Sequence, residues 1–272
     1  MKEEKLTDKI LDEILNLLNS EDSHKQKLGF QSLRLAAAIG SSVGNMEAVY
    51  YEGICYKKGL GTRQSDENAF HCFQRAAEKI PEAIYELGLC YIHGIGTEQD
   101  VTKAFVCFSD AAQSGLPEAM YELAVCYRRG EGTEQDIKTA FSWYEKSANQ
   151  GYIKAFQNMG IIYQNGLGGI PINHVKAFDC FMKASEEDSP DAFFCVGNCY
   201  LNGLGVEEND EEAANWFKKA AELGDPDSMF HLAWMYQEGI GVEKDMDLAT
   251  EYLYKSAEAG WEPAIKIIKG ED

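Results

Sequence analysis

The chain has 272 residues, of which 45% are hydrophobic and 26% are charged, and its 45 acidic against 25 basic residues give a net charge of −20. This apolar content is that of a folded protein and excludes extensive disorder. The acidic surface repels phosphate backbones and so disfavours general nucleic-acid binding, although a merely solvated surface carries such charge equally well.

The first 44 residues predict an N-terminal helical cap, with an amphipathic helix over 5–19, a second helix over 27–39 and a glycine-containing connection at 40–44. Acidic residues interrupt the start too early for a secretion signal, and no apolar run approaches the roughly 18 residues of a membrane span. We therefore expect a cytoplasmic protein, with non-classical export left open. The predicted inward side chains are Ile10, Leu11, Ile14, Leu15 and Leu18, then Leu28, Leu33 and Ala36.

A segment of about 36 residues then recurs six times over residues 48–263, with starts 35 to 37 residues apart. Self-similarity at this period predicts a solenoid, in which each unit buries its apolar face against its neighbours. The opening of the repeat returns once more, which predicts a C-terminal capping helix over 264–272. The starts are Ala48, Ala83, Ala119, Ala155, Ala192 and Ser228, and the final opening is at Ala264.

The repeat that begins at Ala83 predicts a pair of antiparallel helices. Its first helix has an apolar face that includes Leu87 and Gly88 and ends at Gly94, where a left-handed backbone is permitted. Asp100 stands where an N-cap would lie, and Phe108 belongs to the inward stripe of the second helix. The same marks recur in every repeat, so the fold class is all-α.

Seven of the eight cysteines occupy two recurring positions of the repeat, where other repeats carry Ile, Met, Trp or Tyr. A position that accepts all of these behaves as a packing position, which favours reduced cysteines in the core. Disulfides between Cys55 and Cys72, or between Cys90 and Cys107, stay open as alternatives because each pair is 17 residues apart on antiparallel helices.

These repeats resemble the Sel1-like (SLR) family, a branch of the tetratricopeptide superfamily, over roughly residues 25–270. The fifth repeat carries the family's pattern most fully, from Val196-Gly197 and Tyr200 through Gly203-Leu204-Gly205 to Lys219-Ala220-Ala221. The resemblance implies a right-handed superhelix whose first helices line a concave, ligand-binding surface. It also implies protein–protein interaction in regulatory or host-interaction roles, often in bacteria. The first repeat departs from the pattern at Glu52, and the paired cysteines of the cysteine-rich members are lacking.

Two sets of first-helix residues are candidate partner contacts. The position two residues after each repeat start is aromatic in five of six repeats, and aromatic side chains offer flat contacts to an extended peptide. Packing against the adjacent repeat would produce the same column. The aromatic residues are Tyr50, Tyr85, Tyr121, Phe194 and Phe230, and the sixth position holds Gln157.

The second set stands at the end of the first helices. Basic residues there suit a carboxylate or an acidic motif, although cations at a helix C-terminus also interact favourably with the helix dipole. Asparagines at the same place suit a peptide backbone. The residues are Lys57, Lys58, His93, Arg128, Arg129, Asn165 and Asn202.

Signals for catalysis are weak. The five histidines form no nucleophile motif, and the glycine loops follow helices instead of strands. We predict no catalytic residue, no metal site and no cofactor. The predicted function is a non-catalytic scaffold or adaptor that binds a protein or peptide, with no nucleic acid and an unknown oligomeric state. The alternatives are an exported bacterial host-interaction effector, a hydrolase acting on a small substrate, and self-association through an exposed end.

Overall fold

A computed structural model describes residues 2–38 and 43–270, with side chains from 9–38 and 46–270. Within these residues the chain forms fifteen α-helices and one short 3-10 helix. The first eight are α1 Lys2–Leu18, α2 Ser23–Ala38, α3 Val43–Lys58, α4 Asp66–Ala76, α5 Pro81–His93, α6 Val101–Gln113, α7 Pro117–Arg129 and α8 Ile137–Asn149. The others are α9 Lys154–Asn165, the 3-10 helix Leu167–Gly169, α10 His174–Ala184, α11 Pro190–Asn202, α12 Asp210–Glu222, α13 Pro226–Glu238, α14 Met246–Glu258 and α15 Glu262–Lys269.

The helices pack as consecutive hairpins, as the period predicted. The closest packing joins the two helices of one hairpin, as in α3 with α4, α5 with α6, α11 with α12 and α13 with α14. The second helix of one hairpin then packs against the first helix of the next, as in α6 with α7 and α12 with α13. The chain divides into two compact units within α8, one up to Trp143 and one from Tyr144.

The predicted helix ends are confirmed. Asp100 accepts a hydrogen bond from the backbone N–H of Lys103 at 3.0 Å and begins α6. Gly94 ends α5 in the left-handed region at φ 68°, which few residues other than glycine adopt. The second loop glycine, Gly96, lies against the Asp66 carbonyl of the preceding hairpin, so a Cβ there would collide with backbone. The loop therefore sets both the turn and the spacing between hairpins.

In four of the six hairpins the core is a phenylalanine packed against a glycine, whereas α7–α8 carries Ala124 with Tyr144 and α13–α14 carries Ala233 with Leu253. Phe108 is 1% exposed, and a Cβ built on Gly88 would lie 2.6 Å from its ring. The same close approach joins Gly53 to Phe73, Gly160 to Phe181 and Gly197 to Phe217. These first-helix glycines were predicted to let a neighbouring helix approach closely. In the structure, the helix that approaches is the second helix of the same hairpin.

The eight cysteines are free thiols, six of them buried and two, Cys107 and Cys195, partly buried. Burial raises the pKa of Cys55 and Cys72 to about 12 and that of Cys90 and Cys107 to about 11. A thiol with so high a pKa holds its proton at neutral pH and is a poor nucleophile. The predicted packing role is confirmed.

Two side chains predicted to face inward in the N-terminal helices are instead exposed. Ile10 is 47% exposed and Leu28 is 49% exposed. In α2 the buried residues are Gly29, Phe30, Leu33 and Ala37. This stripe is rotated from the predicted one because Phe30 packs edge-on against Tyr56, with ring centroids 5.3 Å apart. Of the predicted connection at 40–44, residues 40–42 lie outside the described residues, and residues 43 and 44 belong to α3 instead.

Candidate partner-binding face

The first helices of the hairpins form one face of each unit, here called the first-helix face: α3, α5 and α7 in the first unit, and α9, α11 and α13 in the second. It carries the six predicted column positions, all of them partly buried: Tyr50, Tyr85, Tyr121, Gln157, Phe194 and Phe230. The second predicted set of candidate contacts, the basic residues, His93 and the asparagines, stands at the C-terminal ends of the same helices.

Three rings of the column rest on the core phenylalanines. The centroid of Tyr50 lies 6.1 Å from that of Phe73, Tyr85 lies 6.0 Å from Phe108, and Phe194 lies 5.8 Å from Phe217. These three rings therefore pack on the second helix of their own hairpin, and their contact with a partner stays a prediction. The inner side of each ring packs on the hairpin core, and its partly exposed remainder belongs to the face.

The hydroxyl of Tyr50 sits in an acidic environment. Burial raises the pKa of Tyr50 to about 12, and the carboxylates of Glu86, Glu82 and Glu118 add to the rise because they disfavour a second negative charge. The hydroxyl is therefore protonated at neutral pH and can donate a hydrogen bond. The contributing carboxylates belong to α5 and α7, the next two first helices along the chain.

Lys57 is held within this face by a residue that sequence reasoning missed. Its Nζ lies 2.6 Å from Oε2 of Glu86, and the two side chains are 35% and 13% exposed. The pair links α3 to α5, so Lys57 helps to join consecutive hairpins. The sequence showed only that Lys57 and Glu86 stand 29 positions apart on adjacent first helices. Whether two such residues pair depends on how far one helix is shifted along its neighbour.

The other basic residues form an edge at the ends of α3 and α7, here called the basic edge: Lys58, Arg128 and Arg129. Lys58 and Arg129 are exposed, and Arg129 lies 3.5 Å from Glu131. The carbonyl of Arg128 accepts a hydrogen bond from Gln135 Nε2 at 2.8 Å, which fixes the last turn of α7. His93, at the end of α5, is exposed as well.

The two predicted asparagines bond to their own helices. Asn165 Nδ2 donates to the carbonyl of Ile161 at 2.9 Å. Asn202 Nδ2 donates to the carbonyl of Asn198 at 2.9 Å and to its Oδ1 at 2.6 Å. Their amide donors are thus used in closing the last turns of α9 and α11.

The second unit contains an aromatic cluster that the sequence analysis did not identify. The ring of His231 lies 5.4 Å from that of Phe194 and 5.0 Å from that of Phe217. Its Nδ1 stands 3.0 Å from the Asp227 carbonyl and 3.3 Å from Asp227 Oδ1. Burial raises the pKa of Asp227 despite the opposing effect of His231. The scattered spacing of the histidines gave no sign of this contact, which joins consecutive first helices.

A groove of about 250 Å³ opens at the end of the second unit, between α13, α14 and α15. Phe230 of the predicted column lines it. The other lining residues are Ala233, Trp234, Gln237, Met246, Ala249, Thr250, Leu253 and Ile267. All nine are uncharged, so the groove can accept apolar groups.

In the part of the chain that the structure describes, no three His, Cys, Asp or Glu side chains come together as a metal site would require. Among the same residues, none of the helices combines the length and apolar character needed to cross a membrane.

Comparison with known proteins identifies the repeats. A family model described as Sel1 repeat matches residues 47–79, 81–116, 117–152, 157–189, 196–225 and 226–261. The crystal structure of c5321, a protective antigen present in uropathogenic Escherichia coli strains displaying an SLR fold, is similar with a TM-score of 0.78 and 35% identity over 86% of this chain. The match covers 50% of that antigen, so the chain spans half of its length.

A Sel1 repeat protein from Oxalobacter formigenes is similar with a TM-score of 0.77 and 25% identity, over 90% of this chain and 96% of that one. No match was found among curated proteins.

Proposed function

The chain belongs to the Sel1 repeat family, and from this we propose that it is a non-catalytic scaffold that binds a protein or peptide partner on its first-helix face. The observation that carries the proposal is the aromatic column, in which Tyr50, Tyr85 and Phe194 stand on buried phenylalanines. Rings fixed in this way lose little side-chain entropy when a partner covers them.

The polar groups beside the column suggest how a partner is oriented. The protonated hydroxyl of Tyr50 can donate to a backbone carbonyl of an extended segment. The basic edge, Lys58, Arg128 and Arg129, provides donors for a carboxylate or an acidic motif, since charge-assisted hydrogen bonds are roughly twice as strong as neutral ones. Lys57 contributes indirectly, because its pairing with Glu86 holds α3 and α5 together.

The test is quantitative capture of partners from the native cell lysate by the full chain and by a variant with Lys58→Glu and Arg129→Glu. Both side chains are exposed, so reversing their charge should leave the fold intact. Lys57 is left unchanged because replacing it would remove the ion-pair partner of Glu86. The matched control is Lys27→Glu with Lys138→Glu, two exposed lysines on the second helices α2 and α8. Circular dichroism verifies that all three proteins are folded.

We expect a partner that wild type and control capture equally and that the basic-edge variant loses by more than about tenfold, the size of a hot-spot effect. Equal capture by all three proteins would remove the basic edge from the binding site. Failure of wild type to retain any protein above empty resin would contradict the scaffold function itself.

A second candidate is an exported factor that acts on a host. It is favoured by the 35% identity to a protein described as a protective antigen of uropathogenic Escherichia coli. The scaffold chemistry would be the same, but the partner would be a host protein. Detection of the chain in the medium of intact cells, without release of a cytoplasmic marker enzyme, would support this candidate, and strict retention inside the cells would contradict it.

A further inference from the structure

Acidic residues flank the aromatic column in the first unit. They occupy two recurring positions, one residue before each repeat start and three residues after it, which share a helix face with the column. In α3, α5 and α7 these positions hold five glutamates and one tyrosine, whereas in α9, α11 and α13 they hold two aspartates, one lysine and three other residues. The glutamates are Glu47, Glu82, Glu86, Glu118 and Glu122, and the tyrosine is Tyr51.

Two tyrosines of α3 form an aromatic pair within this acidic region. The ring centroids of Tyr50 and Tyr51 lie 5.1 Å apart at an interplanar angle of 60°, and both side chains are partly exposed. Burial raises the pKa of Tyr51, and the carboxylates of Glu47, Glu82 and Asp12 add to that rise in pKa. A negative potential thus acts on Tyr51, as it does on Tyr50, and the same potential favours a positive charge at the pair.

The chain itself shows how such groups hold an ammonium. Nζ of Lys57 lies 2.6 Å from Oε2 of Glu86 on this face. In the second hairpin, Nζ of Lys103 lies 3.1 Å from Oδ2 of Asp100 and 5.3 Å from the ring centroid of Tyr91. One cation is therefore held at once by a carboxylate and by the electron-rich face of a tyrosine.

We propose that the Tyr50–Tyr51 pair, with the carboxylates of Glu82 and Glu118, binds a lysine or arginine side chain of the partner. This inference rests on the proposed function and gives the partner its chemistry, an extended segment that carries a basic side chain. The rings supply cation–π contacts and the carboxylates supply the opposite charge. The basic edge lies at the C-terminal ends of the same helices, so an acidic group of the partner would bind there separately.

Glu82 is the central carboxylate of this site. It contributes to the negative potential at both tyrosines, and its side chain is exposed. Glu86, in contrast, is already paired with Lys57. Because charge complementarity across an interface governs the choice of partner, the exposed glutamate should select a basic segment over a neutral one.

Fluorescence anisotropy with a fluorescein-labelled peptide of three Gly-Ser-Lys units, at about 0.15 M salt, tests the proposal. A peptide of three Gly-Ser-Gln units is the neutral comparison. The site variant is Glu82→Gln with Glu118→Gln. Since a net charge of −20 attracts any cation, the matched control is Glu67→Gln with Asp110→Asn, two exposed carboxylates on the second helices α4 and α6. Each pair of substitutions removes two negative charges and takes the net charge from −20 to −18.

We expect wild type and control to bind the lysine peptide equally, and the site variant to bind it about three- to tenfold more weakly. A further variant, Tyr51→Leu, should weaken binding about two- to fivefold through loss of one ring. If circular dichroism shows that Tyr51→Leu is unfolded, the comparison of the two carboxylate variants decides alone. Equal affinities of the site variant and the control would mean that only net charge attracts the peptide, and would overturn the proposal. Equal binding of the two peptides by wild type would overturn it as well.

Capture from the native cell lysate separates this proposal from the scaffold function. A partner that wild type and control retain and the site variant loses would support both. A partner that all three proteins retain equally would leave the scaffold function standing and overturn the cation site. If wild type retains no protein, the scaffold function fails, and the peptide affinities still decide whether the tyrosine pair binds a cation.

Discussion

Glu52 is the residue at which the first hairpin departs from the rest. The corresponding residues of the other hairpins are Leu87, Leu123, Met159, Val196 and Leu232, all of them buried. Glu52 is only 9% exposed, and its Oε1 lies 3.5 Å from Nε of Arg34 in α2. A charged group thus occupies a core position, and its partner comes from the N-terminal helices instead of a repeat.

The raised pKa of Glu52 makes stability depend on pH. Burial raises the pKa above 4.5, and Arg34 and Arg75 only partly oppose this. The folded carboxyl therefore holds its proton more tightly than the unfolded one, so stability falls as pH rises from 4.5 through the folded pKa. We expect Glu52→Gln, which carries no such charge, to unfold at higher urea concentration than wild type at pH 7, with the difference closing towards pH 4.

Glu78→Gln is the control for that measurement, because Glu78 is an exposed carboxylate in the same hairpin. It should shift the urea midpoint little at either pH, as exposed substitutions usually do. If Glu52→Gln were less stable than wild type at pH 7, attraction to Arg34 would outweigh the cost of burial, and the direction argued here would be wrong.

Single-residue roles could be predicted from the sequence wherever the repeat fixes the environment. The cysteines and Asp100 were predicted correctly because the same position recurs in several repeats with similar demands. The pair of Lys57 with Glu86 and the contact of His231 with Phe217 were missed. Each of these contacts joins two different helices. Whether it forms depends on how far one helix is shifted along the other, which the spacing of residues in the sequence does not determine.

At the level of the helix pair, the Gly–Phe contact determines how closely the two helices of a hairpin approach. The last hairpin has Ala233 and Leu253 at the equivalent positions. A larger residue on the first helix is thus accompanied by a smaller one on the second. The α7–α8 hairpin instead combines Ala124 with Tyr144, both fully buried, so an alanine on the first helix does not by itself require a smaller residue on the second.

Gly88→Ala should therefore destabilise the protein by about 1–3 kcal/mol, the usual cost of overpacking a core, because its Cβ would lie 2.6 Å from the Phe108 ring. The same substitution in a Phe108→Leu background should cost clearly less, since that pair reproduces the last hairpin. Urea unfolding of the four proteins of this double-mutant cycle measures the coupling. An equal cost in both backgrounds would show that the ring does not limit the approach.

Helix boundaries could be predicted inside the repeats and less well outside them. The loop glycines and cap residues recur, so the ends of α5 and α6 follow from local chemistry. The N-terminal helices α1 and α2 have no second copy in the chain against which to compare their apolar stripe. Their exposed Leu28 and buried Phe30 are set by contact with Tyr56 of α3, a tertiary effect that a single helix does not reveal.

The whole chain combines a repetitive fold with a large uncompensated charge. Its 45 acidic and 25 basic residues leave −20, while the buried cores of the hairpins are almost entirely uncharged. Packing therefore stabilises the stack and electrostatic repulsion opposes it. This balance follows from the composition, because it depends on the total charge and not on which residues pair.

Salt should consequently stabilise the protein, because the Debye length falls to about 10 Å at 0.1 M and repulsion between distant carboxylates is screened. The urea midpoint should rise with sodium chloride. It should rise more steeply for the Lys27→Glu, Lys138→Glu variant, whose two reversals take the net charge from −20 to −24. Comparing variants cancels the general effect of salt on apolar surfaces, so equal slopes for the two proteins would mean that local ion pairs, and not net charge, govern the response.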